Sequence, residues 1–231
     1  MSNTLGPQGV RTARVNVPQY GRARAELTLE EGAPPAGKLT LTIADLTILG
    51  TVLPGQTGLD APDAPACVLL SGAGWDTPLP SPPPSWQSDN DIPIRTVLER
   101  LARIAGETLD PTTLPAFSVR LGAACVLRKG TCADALSALV LRGAIAPWWV
   151  KLDDGKTRFG PRSPVATANP KSYLLNSNNS MWGVYKLGLD GSALPFLPGN
   201  TAAIGTNGAP VVISRTVFKL TPDELTAMVW A

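Results

Sequence analysis

Proline (23 residues) and glycine (22) interrupt this 231-residue chain too often for a helical protein. Proline removes an amide donor and clashes with the preceding turn, and glycine loses the most backbone freedom on ordering. Both fit best in turns between short strands. The densest interruption is DTPLPSPPPSWQSDND (76–91), where Pro78, Pro80, Pro82, Pro83 and Pro84 fall within seven residues. Such a run forbids helix and ladder pairing and reads as an extended, polyproline-like connector. It can also act as a PxxP ligand, but a stiff spacer between two lobes is the simpler reading.

Strand patterns lie on both sides of it. Residues 1–9 read as a loose arm. VRTARVNV places Val10, Ala13 or Val15, and Val17 on apolar positions, and RAELTLE alternates at Ala25, Leu27 and Leu29. KLTLTIADLTILGTVL is the strongest strand signal, with a break at Ala44-Asp45 that predicts a bulge or tight corner. The loop GQTGLDAPDAP follows, then CVLLSGAGW, a short apolar strand running into a glycine corner.

Two helices are predicted between the strand regions. In IPIRTVLERLARIAGE, Ile94, Val97, Leu98, Leu101 and Ile104 share one face, Gly106 supplies the stop, and Glu99–Arg103 is an i,i+4 pair. The second runs from about Thr131 to Leu141, capped by Thr131 or Gly130, with Asp134 in its first turn. PWWVKLDDGKTRFG then reads as a hairpin turning at Asp153-Asp154-Gly155, with one of Trp148 and Trp149 facing in and one out. Further strands follow around Ser172–Leu189 and Pro210–Leu220, separated by turns at 190–192, 198–200 and 206–208. The tail TPDELTAMVW reads as a capped helical turn or a last strand. The expected fold is α+β and β-rich, with two small barrel-like lobes and a helical pair between them. The segments are an N-terminal lobe (1–75), the connector (76–91), the helical pair (92–143) and a second β lobe (144–231).

Composition narrows the chemistry. The chain has no histidine, so histidine bases, histidine triads and histidine metal ligands are excluded. Cys67, Cys125 and Cys132 are odd in number and widely spaced, which suits three reduced, half-buried thiols better than a disulfide framework or a zinc site. The net charge of +2, with no basic block, is no nucleic-acid signature. No apolar run reaches membrane-spanning length, and no signal-peptide core is present. The acidic pairs Glu30-Glu31, Asp153-Asp154 and Asp223-Glu224 sit beside glycine or proline. The first two read as turns and the third as a helix N-terminus, since neighbours along a strand point to opposite faces. No phosphate loop, nucleophile elbow or calcium loop occurs, so no enzyme activity, cofactor or metal is expected.

Six tryptophans point to surfaces instead. Trp86 in the connector, Trp182, and Trp230 near the C-terminus are the candidate interface anchors. A tryptophan in such a position can equally cover the edge of a core.

In order, these segments resemble the tail-hub family of long-tailed phages, the group that includes late-control-type baseplate hub proteins. The resemblance runs over about residues 11–200. It is carried by Gly37, Leu39-Thr40-Leu41 and Gly50-Thr51-Val52 in the first strands, and by the glycine corner of LSGAGW. It continues with Ile94-Arg95, Val97-Leu98, Leu101 and Ala105-Gly106-Glu107 in the first helix, then Gly130-Thr131, Ala135-Leu136 and Leu139 in the second. Trp148 or Trp149, Asp154-Gly155 and the LPFLPGN step complete it.

The resemblance implies a structural subunit of the phage tail tip, a trimeric ring of paired barrel-like lobes that joins a six-fold tail tube to a three-fold spike. Implied partners are further copies of the chain, the tube protein, the spike and other baseplate proteins, with DNA passing through the lumen without specific binding. The implied location is the virion tail tip, after assembly in the host bacterial cytoplasm. Nothing in the chain resembles a lysozyme-like or spike region. The rival readings are a tail-associated, carboxylate-based cell-wall hydrolase and a peripheral accessory or receptor-facing tail protein.

Overall fold

A computed structural model describes residues 3–32, 34–54, 66–162, 173–204 and 208–231. The loop expected at 55–65 and most of the turn at 206–208 lie outside the described residues. In chain order the elements are β1 (Thr4–Leu5), β2 (Gln8–Pro18), β3 (Arg24–Leu29), β4 (Gly37–Ile43), β5 (Leu46–Pro54) and β6 (Cys67–Leu70). Next come β7 (Ser85–Gln87), α1 (Ile94–Ala105), β8 (Ala124–Val126), α2 (Cys132–Leu141), β9 (Trp148–Val150) and β10 (Thr157–Phe159). The last are β11 (Tyr173–Asn179), β12 (Val184–Leu189), β13 (Thr201–Ala202), β14 (Val211–Val212), β15 (Arg215–Leu220) and β16 (Leu225–Trp230). The fold is α+β and β-rich. The chain condenses into two units: residues 1–71, 152–154 and 162–231 form one, and residues 72–151 and 155–161 the other.

The first unit holds a ten-stranded sheet in the order β1-β4-β5-β6-β3-β2-β15-β16-β12-β11. Because β1 also pairs with β2, the first six strands close on themselves as a barrel. Closure removes both free edges of that half. Residues 3–9 are therefore no loose arm: Leu5 is fully buried, and two short ladders hold β1 in place. A slip in register between Val10 and Thr12 explains the ambiguous pattern of β2. This bulge moves the inward phase by one residue, so Val10 and then Ala13, Val15 and Val17 all point to the core. The break at Ala44-Asp45 is the tip of the β4–β5 hairpin, with Ile43 opposite Leu46 and Ala44 at φ 54°.

The C-terminal half of β2 carries the C-terminal strands on its other side, with Ala13–Pro18 laddered against β15, while β9 and β10 fall in the other unit. The N- and C-terminal strand regions thus share one strand and one core, in which Leu27, Ile48, Phe196, Phe218 and Val229 are all buried. The C-terminal segment resolves as a strand: Leu220 faces Leu225, and Thr221 accepts the Glu224 amide across the turn. Arg162 is buried beside this sheet and donates to the carbonyls of Pro18 and Gln19. Loss of water around its guanidinium pulls its pKa down to about 10.

The second unit packs α1 and α2 around a separate core of Trp75, Val97, Leu98, Leu101, Leu136 and Trp148. Gly106 ends α1 at φ 66°. Thr131 caps α2 in a reciprocal box with Asp134, whose carboxyl is held below the usual range by the Thr131 amide and hydroxyl. Arg95, not Arg103, pairs with Glu99 at 2.9 Å and also lies over the Phe117 ring.

The proline-rich stretch belongs to this unit. Leu79 is buried and its amide donates to Gly130, Pro78 bridges Thr131, and Ser85–Gln87 form a ladder with β8. Ladder pairing survives because it uses residues after the last proline. Trp148 and Trp149 are both buried. Arg158 covers the second ring at 5.6 Å and its indole donates to Gly160, so the face expected to be exposed is roofed by the hairpin's own strand. The three cysteines are fully rather than half buried, and burial raises each thiol's pKa.

Candidate assembly surfaces

The sheet of the first unit has a free edge because β11 pairs only with β12 among the described residues. An unpaired edge offers a row of amides and carbonyls to another chain. Here the edge strand is YLLNSNN, without the charges or prolines that usually blunt such edges. Leu174 is 75% exposed. The hairpin continues into a short 3-10 turn, Ser180–Trp182, where Met181 and Trp182 are 86% and 71% exposed.

Of the three tryptophans singled out by sequence, only Trp182 stands free. Trp86 lies in β7 opposite Cys125 and packs partly against the core of the second unit. It lines an open concavity of about 430 Å³ together with Pro80, Pro82, Arg100 and Arg103. Trp230 lies in β16 opposite Arg215, whose guanidinium covers the ring at 4.9 Å. Trp86 belongs to the second unit, and Trp182 and Trp230 belong to the first.

Two exposed aliphatic residues escaped the sequence reading. Val126 and Leu141 border a further concavity in the second unit, alongside Arg128, Lys129 and Arg142. Leu141 ends α2 off the buried face of Cys132, Ala135, Leu136 and Leu139, as helical spacing requires.

The acidic pairs occupy turns. Glu30-Glu31 follow β3, Asp153-Asp154 lie between β9 and β10, and Asp223-Glu224 form the β15–β16 turn rather than a helix N-terminus. In the corner at 72–74, Gly72 supplies a left-handed φ of 60° and Gly74 answers to packing. A Cβ at Gly74 would collide with the Ala105 carbonyl, and the Gly74 amide donates to Glu107.

No protein-family model matches the sequence, and no curated protein matches it. Solved structures do. The 43 kDa tail protein of prophage MuSo2 from Shewanella oneidensis superposes with a TM-score of 0.65 at 7% identity, over 99% of this chain and 96% of that one. The E. coli c3393 protein is a component of the type VI secretion system with structural similarity to the T4 bacteriophage tail proteins gp27 and gp5. It superposes with a TM-score of 0.55 at 12% identity, over 100% of this chain and 74% of that one. The chain shares the fold of these two proteins. Motifs that carried the resemblance mark places where this fold constrains the backbone. Gly50, for instance, has no room for a Cβ, which would sit 2.9 Å from the Leu70 carbonyl oxygen.

Proposed function

We propose that this chain is a structural subunit of a phage tail tip, one member of a hub ring that connects tail tube to spike and works by assembly rather than catalysis. The observation that carries the reading is the superposition of nearly the whole chain on a prophage tail protein. The uncapped β11 edge and the exposed Met181-Trp182 tip support it, because a protein that works alone gains nothing from leaving them bare. In this role the partners are further copies of the chain, tube protein and spike, and the site of action is the virion tail tip.

The test is the copy number and position of the chain in purified tails, by mass spectrometry and cryo-imaging of the tip. Three or six copies on the tail axis are expected. Absence from the tail, or clearing of peptidoglycan by the purified protein, overturns the proposal.

A further inference from the structure

The sheet of the first unit has one face on the core and one facing away, and strand register assigns each residue. Tyr185, Val229, Thr216 and Val17 lie in one row, and Leu187, Ala227, Phe218 and Val15 in the next but one; all are buried. The alternate rows face away from the core. One reads Val184, Trp230, Arg215, Pro18; the next Lys186, Met228, Val217, Asn16, Arg24; the third Gly188, Thr226, Lys219, Arg14, Glu26. This face therefore carries five cations against a single carboxylate, and that carboxylate, Glu26, already pairs with Arg24 at 3.3 Å. Met228, 41% exposed, gives the face an apolar centre, flanked by Trp230 under the Arg215 guanidinium.

The loops at one end of the same sheet have the opposite sign. Asp190, Asp223 and Glu224 are exposed and border an open concavity of about 660 Å³, floored by Tyr173, Leu174 and Leu225. Among the described residues, none of Arg14, Lys186, Lys219, Asp190, Asp223 and Glu224 has an ion-pair partner. Unpaired charges of both signs form two patches of one unit, adjoining at Gly188 and each set around apolar residues, and are complementary to each other.

We propose that the basic face centred on Met228 docks the acidic concavity of Asp190, Asp223 and Glu224 on a second copy of this chain. The inference rests on the ring reading above and names the surfaces that would meet. A contact between two different patches is heterologous, and repeated around an axis it closes a ring. The apolar centre supplies burial, and the charges fix register and raise the association rate. A polyanion such as DNA is the competing occupant of the basic face, but Met228 and Trp230 interleaved with the cations suit a protein surface better.

The test uses the full chain and measures self-association by sedimentation equilibrium and native mass spectrometry. The variants are Lys186→Glu with Lys219→Glu, Asp223→Lys with Glu224→Lys, and all four together. All the altered side chains are exposed, and far-UV circular dichroism checks the fold. Each double variant is expected to weaken association at least about tenfold, and the fourfold variant, with both signs exchanged, to regain it. Wild-type association should weaken as salt rises to about 1 M, where charges are screened beyond about 3 Å. An oligomer indifferent to both double variants, or a fourfold variant that stays dissociated, overturns this pairing and leaves the ring reading standing. A wild-type chain that remains monomeric at high concentration overturns both. Binding of a short DNA duplex that Lys186→Glu with Lys219→Glu abolishes, with self-association unchanged, reassigns the face.

Discussion

The Asp45 carboxylate accepts the backbone N–H of Ala193 at 2.6 Å, across 148 residues of chain. The same carboxylate accepts the Leu194 amide and the Ser192 hydroxyl, so the tip of the β4–β5 hairpin caps the 3-10 turn Leu194–Phe196. It does for a distant segment what an N-cap residue does for its own helix. Asp45→Ala should cost about 1 kcal/mol, and Asp45→Asn less, because the amide oxygen still accepts. Urea unfolding followed by Tyr and Trp fluorescence measures both. Equal stability of wild type and Asp45→Ala would show that the cap contributes nothing.

Trp75 is fully buried, donates its indole N–H to Thr157 at 2.8 Å, and meets Trp148 at 5.9 Å between centroids. Trp75→Ala should destabilise the protein by about 3–5 kcal/mol through the cavity and the orphaned hydroxyl. Trp75→Phe should lose about 2 kcal/mol and change the near-UV circular dichroism that the tilted indole pair produces.

Gly74→Ala tests close approach rather than packing volume. The added methyl has no room against the Ala105 carbonyl, a backbone atom that moves only if α1 moves. A loss of about 2 kcal/mol or more is expected by thermal denaturation. Gly21→Ala, at φ 85° with open space around its Cβ, tests backbone strain alone and should cost about 1 kcal/mol.

Asp110 is buried, accepts the Thr112 hydroxyl and amide, and pairs with Arg158 at 2.7 Å. These contacts, the Thr112 bonds first, hold its carboxyl below the usual value of 3.8. A depressed folded-state pKa stabilises the protein above the unfolded value, and that contribution fades as pH falls through the folded one. Stability should therefore drop below about pH 4, and Asp110→Asn should flatten that acid limb. Asp134 titrates in the same direction, so the flattening is partial.

Trp182 predicts the reverse pattern. Its side chain is largely exposed, so Trp182→Ser should change stability by less than about 0.5 kcal/mol while reducing incorporation into tails. Complementation of a tail-defective phage, scored by particle yield, separates the two effects.

Sequence made the elements legible where one period ran uninterrupted. The face of α1, the capped start of α2 and the alternation of β3 were read directly, because burial there follows local spacing. Three misreadings share a physical cause. Leu5 looked like part of an arm because two residues cannot show a period, yet they close the barrel. One of Trp148 and Trp149 is expected to face out because alternation says nothing of what covers the second face, here Arg158 over Trp149. Pro78–Pro84 looked like a spacer because proline forbids most pairing, but Leu79 still donates its amide to Gly130. Of the candidate anchors, Trp182 stands free while Trp86 and Trp230 are covered. What decides this is which strand lies at the sheet edge, a property of pairing partners far apart in the chain.

The double role of β2 has a consequence for biosynthesis. Its first half is satisfied by neighbours close in sequence, but its Ala13–Pro18 edge waits for Arg215–Leu220. A nascent chain leaving the ribosome must hold that edge unpaired until β15 has been made. Such long-range closure is slow and leaves the strand open to wrong partners in the meantime. Premature termination between β6 and β15 would release a protein with a finished barrel and a sticky side, more prone to cross-pairing than to simple loss of function.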